Sequence, residues 1–382
     1  MRPGFFSGRH ALGVGAALGM LVGCGGAPDS PLVPPPGFPA PRIPADNPVN
    51  SAKIELGRYL FYDTRLSGNK TQSCASCHKQ ELAFTDGLPV GVGSTGEHHI
   101  RGAMSLANVA YTSTLTWANP ALSVLEKQAL VPLFGETPIE LGLSGKEDVL
   151  LSRLAAEPMY PPMFAAAYPD SPAISLDSVV KALATFQRTL LSGRSPYDRY
   201  FNDHDESALS DSAKRGKDLF FGERLECFHC HGGFAFSDAV VDVNTTLDET
   251  SYQNNGLYNL GGDGSYPAGN QGIYEFTHKP QDKGRFRAPT LRNIALTAPY
   301  MHDGSLATLD DVLDHYARGG TLTASGPNAG DGKDNPNKSL FLRGFTLTTQ
   351  ERQDVLEFLR SLTDSEFIRD PRFSDPLKMQ NP

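Results

Sequence analysis

A chain of 382 residues with 39% hydrophobic and 20% charged side chains has length for two ordinary domains and the composition of a globular protein. Its formal net charge of −9, with 34 Lys and Arg outnumbered by 43 Asp and Glu, argues against a nucleic-acid partner, which needs a basic face. A protein partner or a small substrate fits better.

Arg2 and Arg9 precede or flank an apolar stretch from Ala11 to Val22, the layout of an export signal and too short for a good membrane span. Leu21-Val22-Gly23-Cys24 resembles a bacterial lipobox. On that reading residues 1–23 are a lipoprotein signal peptide, and Cys24 carries the acyl chains that tie a periplasmic-facing protein to its membrane. The alternative is an ordinary secretory signal with an incidental cysteine. Residues 24–48 are proline-rich, including Pro34-Pro35-Pro36, and read as an extended tether without a core. The folded body then begins near Val49.

Asn50-Ser51 is a helix start, and the helix leads through LGRYLFY to the pentapeptide Cys74-Ala75-Ser76-Cys77-His78. The pattern returns as Cys227-Phe228-His229-Cys230-His231, approached through a second helix start at Ser210-Asp211 and through RGKDLFF. A C-x-x-C pair in an exported protein can be a disulfide or redox pair, half a zinc site, or the attachment point of a c-type haem. The adjacent histidine decides for haem: two thioethers fix the ring, and the next residue is placed to put an imidazole on the iron. With Cys24 set aside, the remaining four cysteines are used up by two such units, and the chain is a duplicated cytochrome. Apolar spacing at three and four predicts helices over 175–191 and 348–362, and strand signals are few. The expected architecture is all-α, two cytochrome c-like domains in tandem (49–205 and 206–365) with long loops, minimal strand and a tail over 366–382. DGKDNPN, from Asp331, lacks EF-hand spacing and reads as a loop.

Over about 52–363 the sequence resembles the bacterial di-haem cytochrome c peroxidases and their MauG-like relatives. The passages that carry this are LFYDTRLS, FTDGLPV, LSDSAKRGKDLFFG and RAPTLRNIALTAPYMHDG, in that order. TWANP followed by QALVPLFGETPIELG places it nearer the MbnH-type branch. The resemblance implies two covalent c-type haems: a peroxide-reactive one held by Cys74, Cys77 and His78, and an electron-handling one held by Cys227, Cys230 and His231.

It also implies the roles around them. Ser94 falls where ordinary peroxidases carry a histidine that caps the first iron, so that iron is expected to be open; His98 or His99 could substitute. Tyr316 falls on the far ligand position of the second iron, with His315 or Met301 as competing ligands. Trp117 matches the aromatic between the haems, and Glu140 and Gln128 match the distal acid and amide, a carboxylate there doing proton transfer to peroxide. Calcium between the haems would rest on the carbonyls of Thr297 and Pro299, while Gly102 lacks the side chain that relatives contribute. Gln253, in YQNNGLYN, departs from relatives that have histidine, with no mechanism attached.

The implied function is a peroxide-dependent oxidoreductase that stores two oxidising equivalents over both irons and oxidises a residue, tryptophan in the MbnH type, of a small copper-associated periplasmic protein. The alternatives are a peroxidase that reduces hydrogen peroxide to water with electrons from a small redox protein, and a non-enzymatic electron carrier. The membrane enters only through the lipid anchor.

Overall fold

The computed structural model describes residues 31–378; the predicted signal peptide and Cys24 lie outside the described residues. Among them are seven helices of at least eight residues, α1 (Ser51–Tyr62), α2 (Glu147–Ala156), α3 (Tyr160–Ala167), α4 (Leu176–Arg188), α5 (Asp211–Phe220), α6 (Leu309–Arg318) and α7 (Thr349–Arg360). The only named strands among the described residues are two short antiparallel pairs, Tyr252–Asn254 with Arg285–Arg287 and Leu322–Thr323 with Gly330–Asp331. The all-α expectation holds.

The helix starts lie where the capping residues put them. The Asn50 side chain accepts from Lys53 N at α1, Ser210 from Ala213 N at α5, Ser175 from Ser178 N at α4 and Thr348 from Glu351 N at α7. Each C-x-x-C-H unit then pairs its entry helix with a later one, α1 with α4 and α5 with α7. A glycine sits at each crossing. A Cβ on Gly57 would lie 2.0 Å from the carbonyl oxygen of Ala182 and 2.8 Å from Cβ of Phe186. On Gly216 it would lie 1.8 Å from the carbonyl oxygen of Asp354 and 2.9 Å from Cβ of Phe358. The two copies therefore share their packing as well as their motif, since only a residue without Cβ lets the backbones approach this closely.

Two hydrophobic cores follow. The first gathers Leu56, Leu60, Phe61, Phe84, Leu183 and Phe186; the second gathers Phe220, Phe236, Leu313, Val355, Phe358 and Leu362. Between them the duplicated residues Asn108 and Asn293, both in the left-handed backbone region that asparagine tolerates, converge on Ser192. Asn108 accepts from Ser192 N and donates to Ser192 O, and Asn293 donates to Ser192 Oγ, all at 2.9 Å. Residues 31 onward cluster as one compact unit, so the two predicted domains are halves of one body. Tyr197 packs in the second core.

Two predicted outliers are docked. From Pro31 on, the tether lies on the body, because Phe38 is an aromatic anchor: its ring is 4.8 Å from Phe234 and 6.0 Å from Tyr111, with the Arg292 guanidinium 4.5 Å over it. Arg42 Nη1 adds a bifurcated bond to both carboxylate oxygens of Asp248 at 2.7 Å. The tail crosses back to the first half, where Phe367 and Phe373 are buried in the first core. No helix among the described residues is long and apolar enough to cross a membrane.

Candidate functional site: two C-x-x-C-H centres and the aromatic ring between them

At the first centre a four-residue helical turn carries Cys74 to Cys77, and His78 caps it. His78 Nδ1 lies 2.8 Å from the carbonyl oxygen of Phe84, which can only accept, so Nδ1 bears the proton and Nε2 keeps its lone pair. The second centre repeats the device: His231 Nδ1 lies 3.2 Å from the carbonyl oxygen of Phe236. Phe84 and Phe236 both have positive φ (63° and 50°), a strained turn kept in each copy to aim that carbonyl. Burial lowers the basicity of both imidazoles, which favours the neutral form that a metal needs.

All four cysteines are free, and burial pushes their thiols up: Cys74, Cys227 and Cys230 to about 12, Cys77 to about 11. Among the described residues no group of three or more His, Cys, Asp and Glu is arranged to hold a metal ion. Each centre sets two thiols able to form thioethers beside a poised imidazole, and the first has a space for a ring.

That space at the first centre is a cavity of about 430 Å³. Cys74, Cys77, His78, Trp117, Gln128 and Glu140 all line it. The sequence prediction thus brings its three catalytic candidates to one wall system. Ser94 is not on that wall; its N–H donates to the Glu140 carbonyl instead. His98 is exposed, but His99 lines the cavity, its Nε2 3.3 Å from Glu140 Oε1 in ion-pair range.

At the second centre Tyr316, in the last turn of α6, is enclosed beside the cysteine pair; burial first, then Cys230 and Cys227, push its phenol well above the usual range. Of its rivals, Met301 Sδ accepts from Asn255 Nδ2 at 3.2 Å, whereas His315, with Nδ1 2.7 Å from Thr321 Oγ1, keeps a buried Nε2 without a hydrogen-bond partner. Asn255 also lies beside the Tyr316 phenol and draws its pKa down against the effect of burial. This is the residue that sequence reasoning missed: YQNNGLYN stood out, yet nothing local tells that Asn255 reaches Tyr316 while Gln253 turns to Ser251.

Trp117 lines both the first cavity and a smaller one of about 90 Å³ whose wall includes Thr85, Asp86, Gly102, Thr297 and Pro299. Its Nε1 donates to Gly102 O at 2.9 Å, and its carbonyl accepts from Arg287 N at 3.0 Å, two residues before Pro289, whose backbone bonds His231. The Trp117 backbone thus adjoins the segment whose Pro289 bonds His231.

A family model described as di-haem cytochrome c peroxidase matches residues 51–206. Cytochrome-c peroxidase IdrP1 of Pseudomonas sp. (strain SCT) is 36% identical over 350 residues, covering 88% of this chain and 86% of that protein. The chain belongs to the di-haem cytochrome c peroxidase/MauG family. The methylamine utilization protein MauG of Methylorubrum extorquens is 35% identical over 322 residues, 84% of this chain and 80% of that one. The solved structure of a MauG-like protein associated with microbial copper homeostasis is 50% identical, with a TM-score of 0.87 over 89% of this chain and 97% of that one.

As a member of a di-haem family, the protein has one attachment site per C-x-x-C-H, and the residues fit. Each centre offers two free thiols, one oriented imidazole and a buried carboxylate oxygen without a hydrogen-bond partner at an equivalent place, Asp86 Oδ2 and Asp238 Oδ1. Membership of this di-haem family also makes the chain a peroxide-dependent oxidoreductase and removes the electron-carrier alternative.

Proposed function

We propose that this di-haem enzyme is an exported, periplasmic-facing lipoprotein, anchored at Cys24, that uses hydrogen peroxide to oxidise a tryptophan of a small copper-associated protein. The observation that carries the reading is Tyr316, enclosed beside Cys227 and Cys230 where a plain peroxidase would need a ligand that favours the reduced state. The copper association comes from the half-identical MauG-like structure.

When bound, the haems supply a peroxide-reactive iron and a second redox centre. His78 would hold the first, and His231 with Tyr316 would hold the second. Glu140 takes the proton from the near oxygen of peroxide and returns it to the departing oxygen, which leaves as water. Gln128 orients the peroxide, and His99 lies beside the Glu140 carboxylate. Trp117 couples the two centres. Calcium fits the smaller cavity, on the carbonyls of Thr297 and Pro299, with the Asp86 carboxylate offering the oxygen that Gly102 lacks.

The relatives named cytochrome-c peroxidase support a second reading, reduction of peroxide to water with electrons from a small redox protein. One experiment separates the two. The matured enzyme is given peroxide with small tryptophan-bearing periplasmic proteins, or with a reduced cytochrome. Mass spectrometry should find an oxidised tryptophan in the first mixture. Rapid peroxide loss only in the second makes the protein a plain peroxidase.

A further inference from the structure

Trp117 is half-buried and faces two cavities, so an oxidising equivalent that reaches it needs a way out to a macromolecular substrate. The rings around it form one packed cluster with Tyr266, Phe286 and Tyr258. Trp117 meets the edge of His302 at 6.4 Å between centroids; His302 stacks on Phe286 at 3.9 Å and lies 6.1 Å from Tyr266; Tyr266 meets Tyr258 edge-on at 5.4 Å. From indole to the last phenol no gap in this series exceeds a ring contact.

The members differ in whether they can hold an oxidised state. A phenylalanine ring is too hard to oxidise, and an imidazole is harder than an indole or a phenol. A phenol gives up an electron readily only if its proton can leave with it, because the phenol radical cation is a strong acid. Tyr266 is fully buried, and its hydroxyl donates to the Asn254 amide oxygen at 3.0 Å and accepts from Leu257 N at 3.1 Å; neither partner is a base. Tyr258 is half-buried, and its hydroxyl donates to Asp303 Oδ2 at 2.7 Å. The other oxygen of Asp303 caps Ser305 N at 3.1 Å, and Asp303 has no ion pair among the described residues. It is a carboxylate free to take a proton. Ser305 is exposed, so this end of the series reaches solvent.

We propose that Tyr258 is a redox-active tyrosine, with Asp303 as its proton acceptor, through which the oxidising equivalent leaves Trp117 for the partner protein. The proposal rests on the protein-oxidising reading above and adds the exit. In the step, one electron passes from the Tyr258 phenol to oxidised Trp117, restoring the indole, and the phenolic proton moves to Asp303 Oδ2. A partner side chain then returns one electron to the neutral tyrosyl radical, and the proton moves back. The oxidant is peroxide, which supplies two such equivalents.

The molecule contains its own control. Tyr160 donates to Asp63 Oδ2 at 2.5 Å, the same pair of groups, but inside the first core; its carboxylate is already paired with Arg65 at 3.0 Å, and its ring contact is Phe164.

The test uses the matured protein with both haems, made with ring-deuterated tyrosine, frozen within milliseconds of adding one equivalent of peroxide and no partner. Electron paramagnetic resonance should show a radical whose hyperfine width narrows on tyrosine deuteration. Tyr258→Phe should remove it, Asp303→Asn should lower its yield at least tenfold, and Tyr160→Phe should leave it unchanged; intact haem spectra in each variant show that folding is kept. A parent without a tyrosine radical, or a Tyr258→Phe variant with the parental one, overturns the proposal. Because no partner is present, a Tyr258 radical in an enzyme that oxidises no protein leaves the exit standing and sinks the protein-oxidising reading instead.

Discussion

Glu140 Oε1 lies 3.3 Å from His99 Nε2, and both side chains line the cavity that contains the His78 ring. The two groups lie side by side without a hydrogen bond between them, and on the proposed reading Glu140 is the base that meets peroxide. Glu140→Gln keeps the shape and removes the base, and should slow peroxide cleavage by about 10²- to 10³-fold in stopped-flow traces. His99→Ala should cost less, roughly tenfold, since the base itself survives. If His99 instead bound iron, its removal would convert a low-spin ferric signal to high-spin.

Tyr316 gives the second prediction. The ferric protein should show one high-spin and one low-spin haem by electron paramagnetic resonance, because Ser94 does not line the first cavity and Tyr316, on the proposed reading, ligates the second iron. Tyr316→His should retain two covalent haem additions by mass spectrometry, shift the low-spin signal and abolish oxidation of a partner protein. Two low-spin signals in the parent would mean that the first site is capped.

The crossing glycines predict a separable effect on the two halves. Gly57→Ala pushes Cβ into the Ala182 carbonyl and Gly216→Ala into that of Asp354, both helix backbones that cannot yield as a flexible side chain could. Each should destabilise the fold by about 1–3 kcal/mol or more. Thermal unfolding should show a lower midpoint for both variants, with Gly216→Ala disturbing the second haem's absorption first. An unchanged midpoint would remove the close-packing argument.

What the sequence makes legible is what local chemistry decides. The caps Asn50, Ser175, Ser210 and Thr348 act within three residues of themselves, so the helices they start could be read without the fold. The C-x-x-C-H centres are equally local. Phe38 and Phe373 were hidden for the opposite reason: proline-rich and terminal composition reads as uncommitted chain, and only the fold shows the aromatic surfaces that receive each ring. His99 and Asn255 belong to the same class. Their partners, Glu140 and Tyr316, are far along the chain, and no spacing rule joins them.

Asp238 gives a pH dependence. It follows the same turn as Asp86 does at the first centre, and burial pushes its carboxyl up to about 6 against hydrogen bonds from Ser251 and its own backbone and the charge of Arg287. An unfolded aspartate titrates near 3.9, so the folded state binds this proton more tightly. The resulting stabilisation is full below pH of about 4 and is lost as pH rises to about 6. Unfolding of the matured protein should therefore show Asp238→Asn gaining on the parent across that window and holding its gain above it. A variant parallel to the parent from pH 4 to 7 would show that the carboxyl titrates normally.

Trp117 is the residue on which the functional reading turns. It lines both cavities, its Nε1–H satisfies the Gly102 carbonyl at 2.9 Å, and its ring edge opens the series toward Tyr258. Trp117→Phe retains an aromatic ring but removes the only group in that position that can be oxidised, and it orphans one carbonyl at a cost of about 1–3 kcal/mol. Peroxide should still react at the first centre at the parental rate, because Glu140, His99 and His78 are untouched. Communication beyond that centre should fail: the Tyr258 radical should disappear, and oxidation of a partner tryptophan should fall at least a hundredfold. Stopped-flow absorption and partner mass spectrometry on the same sample read the two halves separately. If the variant oxidises its partner at the parental rate, Trp117 is packing and the oxidising equivalent leaves by another route; if both readouts fall together, the substitution has damaged the first cavity and the Trp117→Tyr variant, oxidisable but without the indole N–H, should restore partner oxidation.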